Sequence, residues 1–231
     1  MSEAKTEFAK ALLAELGYTI SNKVDNTEGT VQVHEFDWGD GEDARTAAAG
    51  VRLTSLMHPV SAPLEFEFVR VTGFKLRDVK SRKRTATGKT VLRVARKGWT
   101  PQTTNVFSQA TGLVELKIEQ NKFSEAQLHL ELVSFSTVSV FEQGVVLLAT
   151  DCLKRWGVWS FKSKDTVSGE WYRDSSLAIA DFKKKMETIV QRSEALQLAT
   201  IPEHDDNADN DLDKQGGDSS LKGGQGGAPK D

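Results

Sequence analysis

From Leu64 onward the apolar side chains of this chain recur every second residue, and that period constrains the fold more than any other feature. Leu64, Phe66 and Phe68 alternate with Glu65 and Glu67, and Val69, Val71, Phe74 and Leu76 extend the β-branched and aromatic run. Successive side chains of an extended strand point to opposite faces, so a period of two marks a strand with one face buried. Val91, Leu92 and Val94 resume the pattern after Thr85-Ala86-Thr87-Gly88, which predicts a strand pair joined by a basic loop. Further strands are predicted over 113–119, 126–139, 144–149 and 158–162, with shorter ones near 30–36 and 50–56. Many short strands with no long helix between them predict a mainly β protein, an antiparallel sandwich or barrel, and not a parallel α/β sheet.

Helices are expected at the two ends of this core. Over 2–16, Phe8, Leu12 and Leu16 recur at four-residue spacing, Ser2 can cap the start, and Gly17 suits the left-handed position after the end. Over 175–198, Asp174 can cap a helix that carries Phe182, Met186, Ile189 and Val190 on one face. Lys183, Lys184 and Lys185 lie beside that face and are candidates for contact with a membrane surface. From Glu203 to Asp231 the sequence is acidic, then Gly-rich, with almost no apolar residues, so ordering it would cost more entropy than burial returns. The expected organisation is a single domain: an N-terminal helix over 1–17, a β core over 18–174, a C-terminal helix over 175–200 and a disordered tail over 201–231.

Charge is segregated along the chain. The formal net charge is -3, but residues 70–98 hold eleven basic side chains against one acidic one, Asp78. They are Arg70, Lys75, Arg77, Lys80, Arg82, Lys83, Arg84, Lys89, Arg93, Arg96 and Lys97. A nucleic-acid backbone rewards such density, because each neutralised phosphate releases condensed counterions whatever the base sequence. Phe74 and Trp99 flank the block and are candidate platforms for stacking unpaired bases. The tail over 203–231 carries eight acidic and three basic residues. It is either a solubilising extension or an internal polyanion competing for the block.

Other chemistry has no matching pattern. In Thr85-Ala86-Thr87-Gly88-Lys89-Thr90 the first glycine of a phosphate-binding loop is replaced by Lys83, and a strand follows where a helix is needed. His34, His58, His129 and His204 are not spaced as zinc ligands, and Asp37, Asp40, Glu42 and Asp43 lack the glycine and oxygen spacing of a calcium loop. Cys152 is the single cysteine, which excludes an internal disulfide and points to a reducing, intracellular compartment. It reads as a small buried hydrophobe, and Trp156 and Trp159 read as core or sheet-edge aromatics. No signal peptide and no membrane-spanning segment is expected, nor any catalytic residues, metal or cofactor.

Val79-Lys80-Ser81-Arg82-Lys83 followed by Thr87-Gly88-Lys89-Thr90-Val91-Leu92-Arg93-Val94 resembles the basic loop and glycine-led strand of tombusvirus-type and aureusvirus-type movement proteins, members of the plant-virus thirty-kilodalton superfamily. Ser139-Val140-Phe141-Glu142-Gln143-Gly144-Val145-Val146-Leu147-Leu148 and Trp156-Gly157-Val158-Trp159-Ser160-Phe161 resemble that family's later strand pair. The resemblance spans residues 60–190. Val94 stands where the superfamily carries a characteristic aspartate, and Asp78 lies on the preceding strand, so that residue's role is not carried over. The resemblance implies a jelly-roll-like β-sandwich that binds single-stranded RNA cooperatively and carries a viral genome through plasmodesmata, at cell walls and host membranes. Host membrane or cell-wall proteins and further copies of the chain, as a homo-oligomer, are the other candidate partners. The expectation is therefore a non-enzymatic, sequence-tolerant RNA-binding protein. The alternative is a capsid-like or matrix-like assembly protein that meets the genome only within an oligomer.

Overall fold

The structure, a computed structural model, describes residues 3–21, 24–26, 37–38, 40–58, 64–70, 79–81, 84–86, 92–96, 110–117, 123–137, 139, 141 and 144–199. The strand expected near 30–36, Phe74, Trp99, Asp78 and the tail over 203–231 lie outside these residues.

Helix α1 spans Glu3–Glu15, and Leu12 and Leu13 bury its inner face. It ends where Gly17 takes a positive φ of 83°, so that the Gly17 and Tyr18 amides donate back to the Ala14 and Leu13 carbonyls, each at 3.0 Å. Only glycine enters that conformation without steric cost. Helix α2 spans Gly41–Met57. It takes up Gly41 to Asp43 of the acidic stretch 37–43, while Asp37, Trp38 and Asp40 stay outside any helix or strand, and it replaces the strand expected near 50–56. Thr46, Ala49, Leu53 and Met57 are its buried residues, spaced three and four apart, and Ala47-Ala48-Ala49 favours helix.

Ten strands follow in the described residues: β1 (Thr19–Ile20), β2 (Val24–Asn26), β3 (Phe66–Arg70), β4 (Val79–Lys80), β5 (Thr85–Ala86), β6 (Leu92–Arg96), β7 (Ala110–Leu116), β8 (Val146–Thr150), β9 (Trp156–Ser163) and β10 (Thr166–Tyr172). Helix α3 spans Glu125–Ser136 and α4 spans Ser175–Ala199. Eight strands form one sheet in the order β1-β10-β9-β8-β7-β6-β3, with β2 also on β10, while β4 and β5 form a separate ribbon. β7 and β8 run parallel and are joined by α3, a βαβ crossover. β1 and β2 also run parallel to β10, and the remaining neighbours are antiparallel.

The expected antiparallel jelly-roll-like sandwich is thus corrected to a sheet-rich α/β fold with one mixed sheet between two layers of helices. On one face α1 and α3 pack Leu12, Leu13, Leu128, Leu132 and Phe135 against Leu113, Leu147 and Trp159. On the other, α2 and α4 pack Leu53, Met57, Ile179, Phe182 and Met186 against Val94, Val146, Leu148 and Trp156. The strand expected over 126–139 is α3. Its sequence alternates apolar and polar residues, but Ala126, Leu130 and Val133, and Leu128, Leu132 and Phe135, also repeat at helical spacing. Ser124 caps it by accepting from the Gln127 amide. The strand pair expected from the period-two run forms as β3 with β6, from Phe66 opposite Arg96 to Arg70 opposite Leu92. The C-terminal helix forms as expected, with Asp174 Oδ1 accepting from the amides of Ser176 at 2.7 Å and Leu177 at 3.4 Å.

Trp156 and Trp159 lie in the core, on opposite faces of β9. Trp159 crosses the backbone of two glycines: a Cβ at Gly169 would stand 2.1 Å from Trp159 Nε1, and one at Gly157 2.3 Å from Trp159 Cζ3. Trp171 meets Trp159 edge-on with ring centroids 4.8 Å apart, and the Arg155 guanidinium lies 4.3 Å from the Trp171 ring. No helix among the described residues is long and apolar enough to cross a membrane. Of the three lysines on α4, Lys183 is buried, Lys184 is exposed and Lys185 pairs with Asp181.

Candidate nucleic-acid interface

The basic block hangs from one end of the sheet. β3 and β6 are the last two strands on that side, and the chain from 71 to 91 runs between them. Part of this connection returns as the β4–β5 ribbon, in which Val79 pairs with Ala86 and Lys80 with Thr85. At its end the Ser81 amide donates to the Arg84 carbonyl at 2.8 Å, and the Arg84 amide donates to Ser81 Oγ at 2.9 Å. Arg82 and Lys83 fall between these bonded residues in the sequence and are outside the described set, as are Lys75, Arg77, Lys89 and Lys97. Arg70 ends β3, with its side chain outside that set.

The four remaining cations occupy different environments. Lys80 is exposed on the ribbon. Arg84 forms an ion pair with Glu15 at the end of α1, and Ser81 Oγ donates to the same carboxylate. Arg96 pairs with Glu194 on α4. Arg93 is only 4% exposed. Burial lowers its affinity for a proton while Glu67 on the neighbouring strand raises it. A cation buried to that degree belongs to the sheet and not to a phosphate-facing surface, so Arg93 stands apart from the rest of the block.

A second polar cluster lies under α3. Glu115 on β7 pairs with Lys117, and Glu131 on α3 accepts from Gln127 Nε2 at 2.7 Å. Burial raises the Glu115 carboxyl, with Lys117 opposing. Burial and then the Glu115 charge push Glu131 up to about 8. The strand predicted over 113–119 sets Glu115 and Lys117 on the face opposite Leu116, and here both lie with Glu131 beneath α3. No spacing in the sequence signals this cluster, because only the crossover brings Glu131 beside Glu115. Likewise Glu15 and Glu194 carry no motif, and become partners of the basic block only through the packing of α1 and α4.

Cys152 is buried at the β8–β9 turn, where burial and Asp151 push its thiol up to about 12, so it is not a thiolate at neutral pH. His129 is buried on α3 with Nδ1 2.7 Å from the Glu125 carbonyl, and burial lowers its affinity for a proton. His58 is exposed at the end of α2, while His34 and His204 lie outside the described residues. Among the described residues no three His, Cys, Asp or Glu side chains are grouped to hold a metal ion. Comparison with protein-family models, with curated proteins and with solved structures returns no match for this chain.

Proposed function

We propose that this protein binds single-stranded nucleic acid, RNA above all, through the basic connection between β3 and β6, with little regard to base sequence. The observation that supports this reading is the concentration of eleven basic residues against one acidic residue in 70–98, a segment attached at one end of the sheet and partly folded into a ribbon. A two-stranded ribbon bearing cations follows a phosphate backbone by charge alone, without a pocket for any base. Arg70, Lys75, Arg77, Lys80, Arg82, Lys83, Arg84, Lys89, Arg96 and Lys97 supply the contacts, and Phe74 and Trp99 stack unpaired bases. Arg93, being buried, is given a structural role instead.

The biological setting we propose is cell-to-cell movement of a viral genome through plasmodesmata. That part rests on the sequence resemblance of 79–94 and 139–161. The helices on both faces of the sheet differ from the jelly-roll which the resemblance implies. Two experiments test the two parts. Replacing Lys80, Arg82 and Lys83 together by glutamine should weaken binding of labelled oligouridine by at least tenfold at low salt, since each lost phosphate contact removes part of the counterion release. An unchanged affinity would overturn the assignment of the block. A fluorescent fusion in leaf epidermal cells should mark paired spots at the cell wall, and a diffuse signal would contradict the movement role.

A further inference from the structure

The tip of the ribbon already holds an anion. The Arg84 guanidinium and the Ser81 hydroxyl converge on the carboxylate of Glu15, which belongs to α1 and is separated from them by more than sixty residues of sequence. The two donors are fixed relative to each other, because Ser81 Oγ accepts from the Arg84 amide at 2.9 Å while the Ser81 amide donates to the Arg84 carbonyl at 2.8 Å. A guanidinium beside a hydroxyl matches two oxygens of a phosphodiester as well as it matches a carboxylate. The pair is also partly open to solvent, with side-chain exposures of 33% for Arg84 and 27% for Glu15, so an incoming anion can reach it.

We infer that Ser81 and Arg84 form a phosphate subsite for the RNA backbone, and that Glu15 is its resident competitor. The inference rests on the RNA-binding reading above and adds to it the identity of one subsite and the contact that closes it. Binding then exchanges one anion for another: a phosphodiester takes the two donors, and the Glu15 carboxylate returns to water. In the free protein the same contact ties the ribbon to α1.

Oligouridine binding by the full chain at 50 mM salt provides the test. Glu15→Gln removes the competitor and should tighten binding about fivefold, the factor that matches loss of a partly exposed ion pair. Glu7→Gln removes the same charge from the same helix, at a position that pairs with Lys10 and not with the ribbon, and should change affinity less than twofold. In a protein that already carries Arg84→Gln, Glu15→Gln should no longer tighten binding. Circular dichroism of each variant verifies that the helices are retained. Equal effects of Glu15→Gln and Glu7→Gln would overturn the inference by reducing it to net charge, and weaker binding by Glu15→Gln would overturn it by showing that the contact organises the ribbon for RNA. If neither the wild-type protein nor any variant binds, the RNA-binding reading itself fails, and the subsite with it.

Discussion

Glu131 carries a proton in the folded protein at pH values where a solvated glutamate has lost it. Its carboxyl lies at about 8 when folded against an ordinary 4.5, because burial disfavours the charge and Glu115 repels it. Between these values the unfolded chain holds fewer protons than the folded one, so stability falls as pH rises from about 4.5 and levels off above about 8. Glu131→Gln keeps the shape and removes the titration. Urea unfolding at pH 5, 6, 7 and 8 should show a smaller loss of stability with pH for the variant, and an identical slope would contradict the assignment. Asp151 makes a different residue-scale prediction. Its Oδ1 accepts from the amides of Leu153, Lys154 and Arg155, each at 2.9 Å, and holds the turn in which Cys152 takes a φ of 56°. Asp151→Ala leaves those donors without their acceptor and should cost about 2–3 kcal/mol in urea unfolding, whereas a loss below about 0.5 kcal/mol would show that water replaces the carboxylate.

At the scale of elements, the β9–β10 hairpin meets α3 through two indoles, Trp171, whose Nε1 donates to Glu125 at 3.2 Å, and Trp159. Trp159 lies across Gly157 and Gly169 and contacts His129 of α3 edge-on, with ring centroids 6.5 Å apart. Gly169→Ala would place a methyl group inside the ring's contact distance and should destabilise the protein by about 1–3 kcal/mol, with a shift in tryptophan emission as the indole moves. Unchanged stability and emission would mean that the hairpin yields there. The strands themselves were legible where one face is exposed: Leu64 to Phe68 alternates, and Phe66–Arg70 forms a strand. Val145 to Ala149 does not alternate, and all five residues are buried because helices cover both faces of β8. That unbroken apolar run was the available sign of an α/β architecture. In α3 the sequence satisfies both periods, and only its place as the crossover between parallel strands decides for helix. Thr46, Ala49, Leu53 and Met57 of α2 do carry a helical period, hidden by the β-branched Val51 and Thr54 between them.

For the molecule as a whole, the separation of charge decides more than its sum. The basic density of the candidate interface was legible in the sequence, since it requires only counting. The partners of that density were not, because Glu15 and Glu194 reach Arg84 and Arg96 from helices at opposite ends of the chain. Arg93 shows the same limit: the sequence gives its charge, but only the sheet reveals its burial. The central claim is that the remaining cations hold single strands by backbone charge. Labelled oligouridine titrated against the full chain between 50 and 200 mM salt tests it most directly. With about five phosphates neutralised, log affinity should fall against log salt with a slope of roughly -3 to -4. A slope near zero, or no binding at 50 mM salt, would contradict the account.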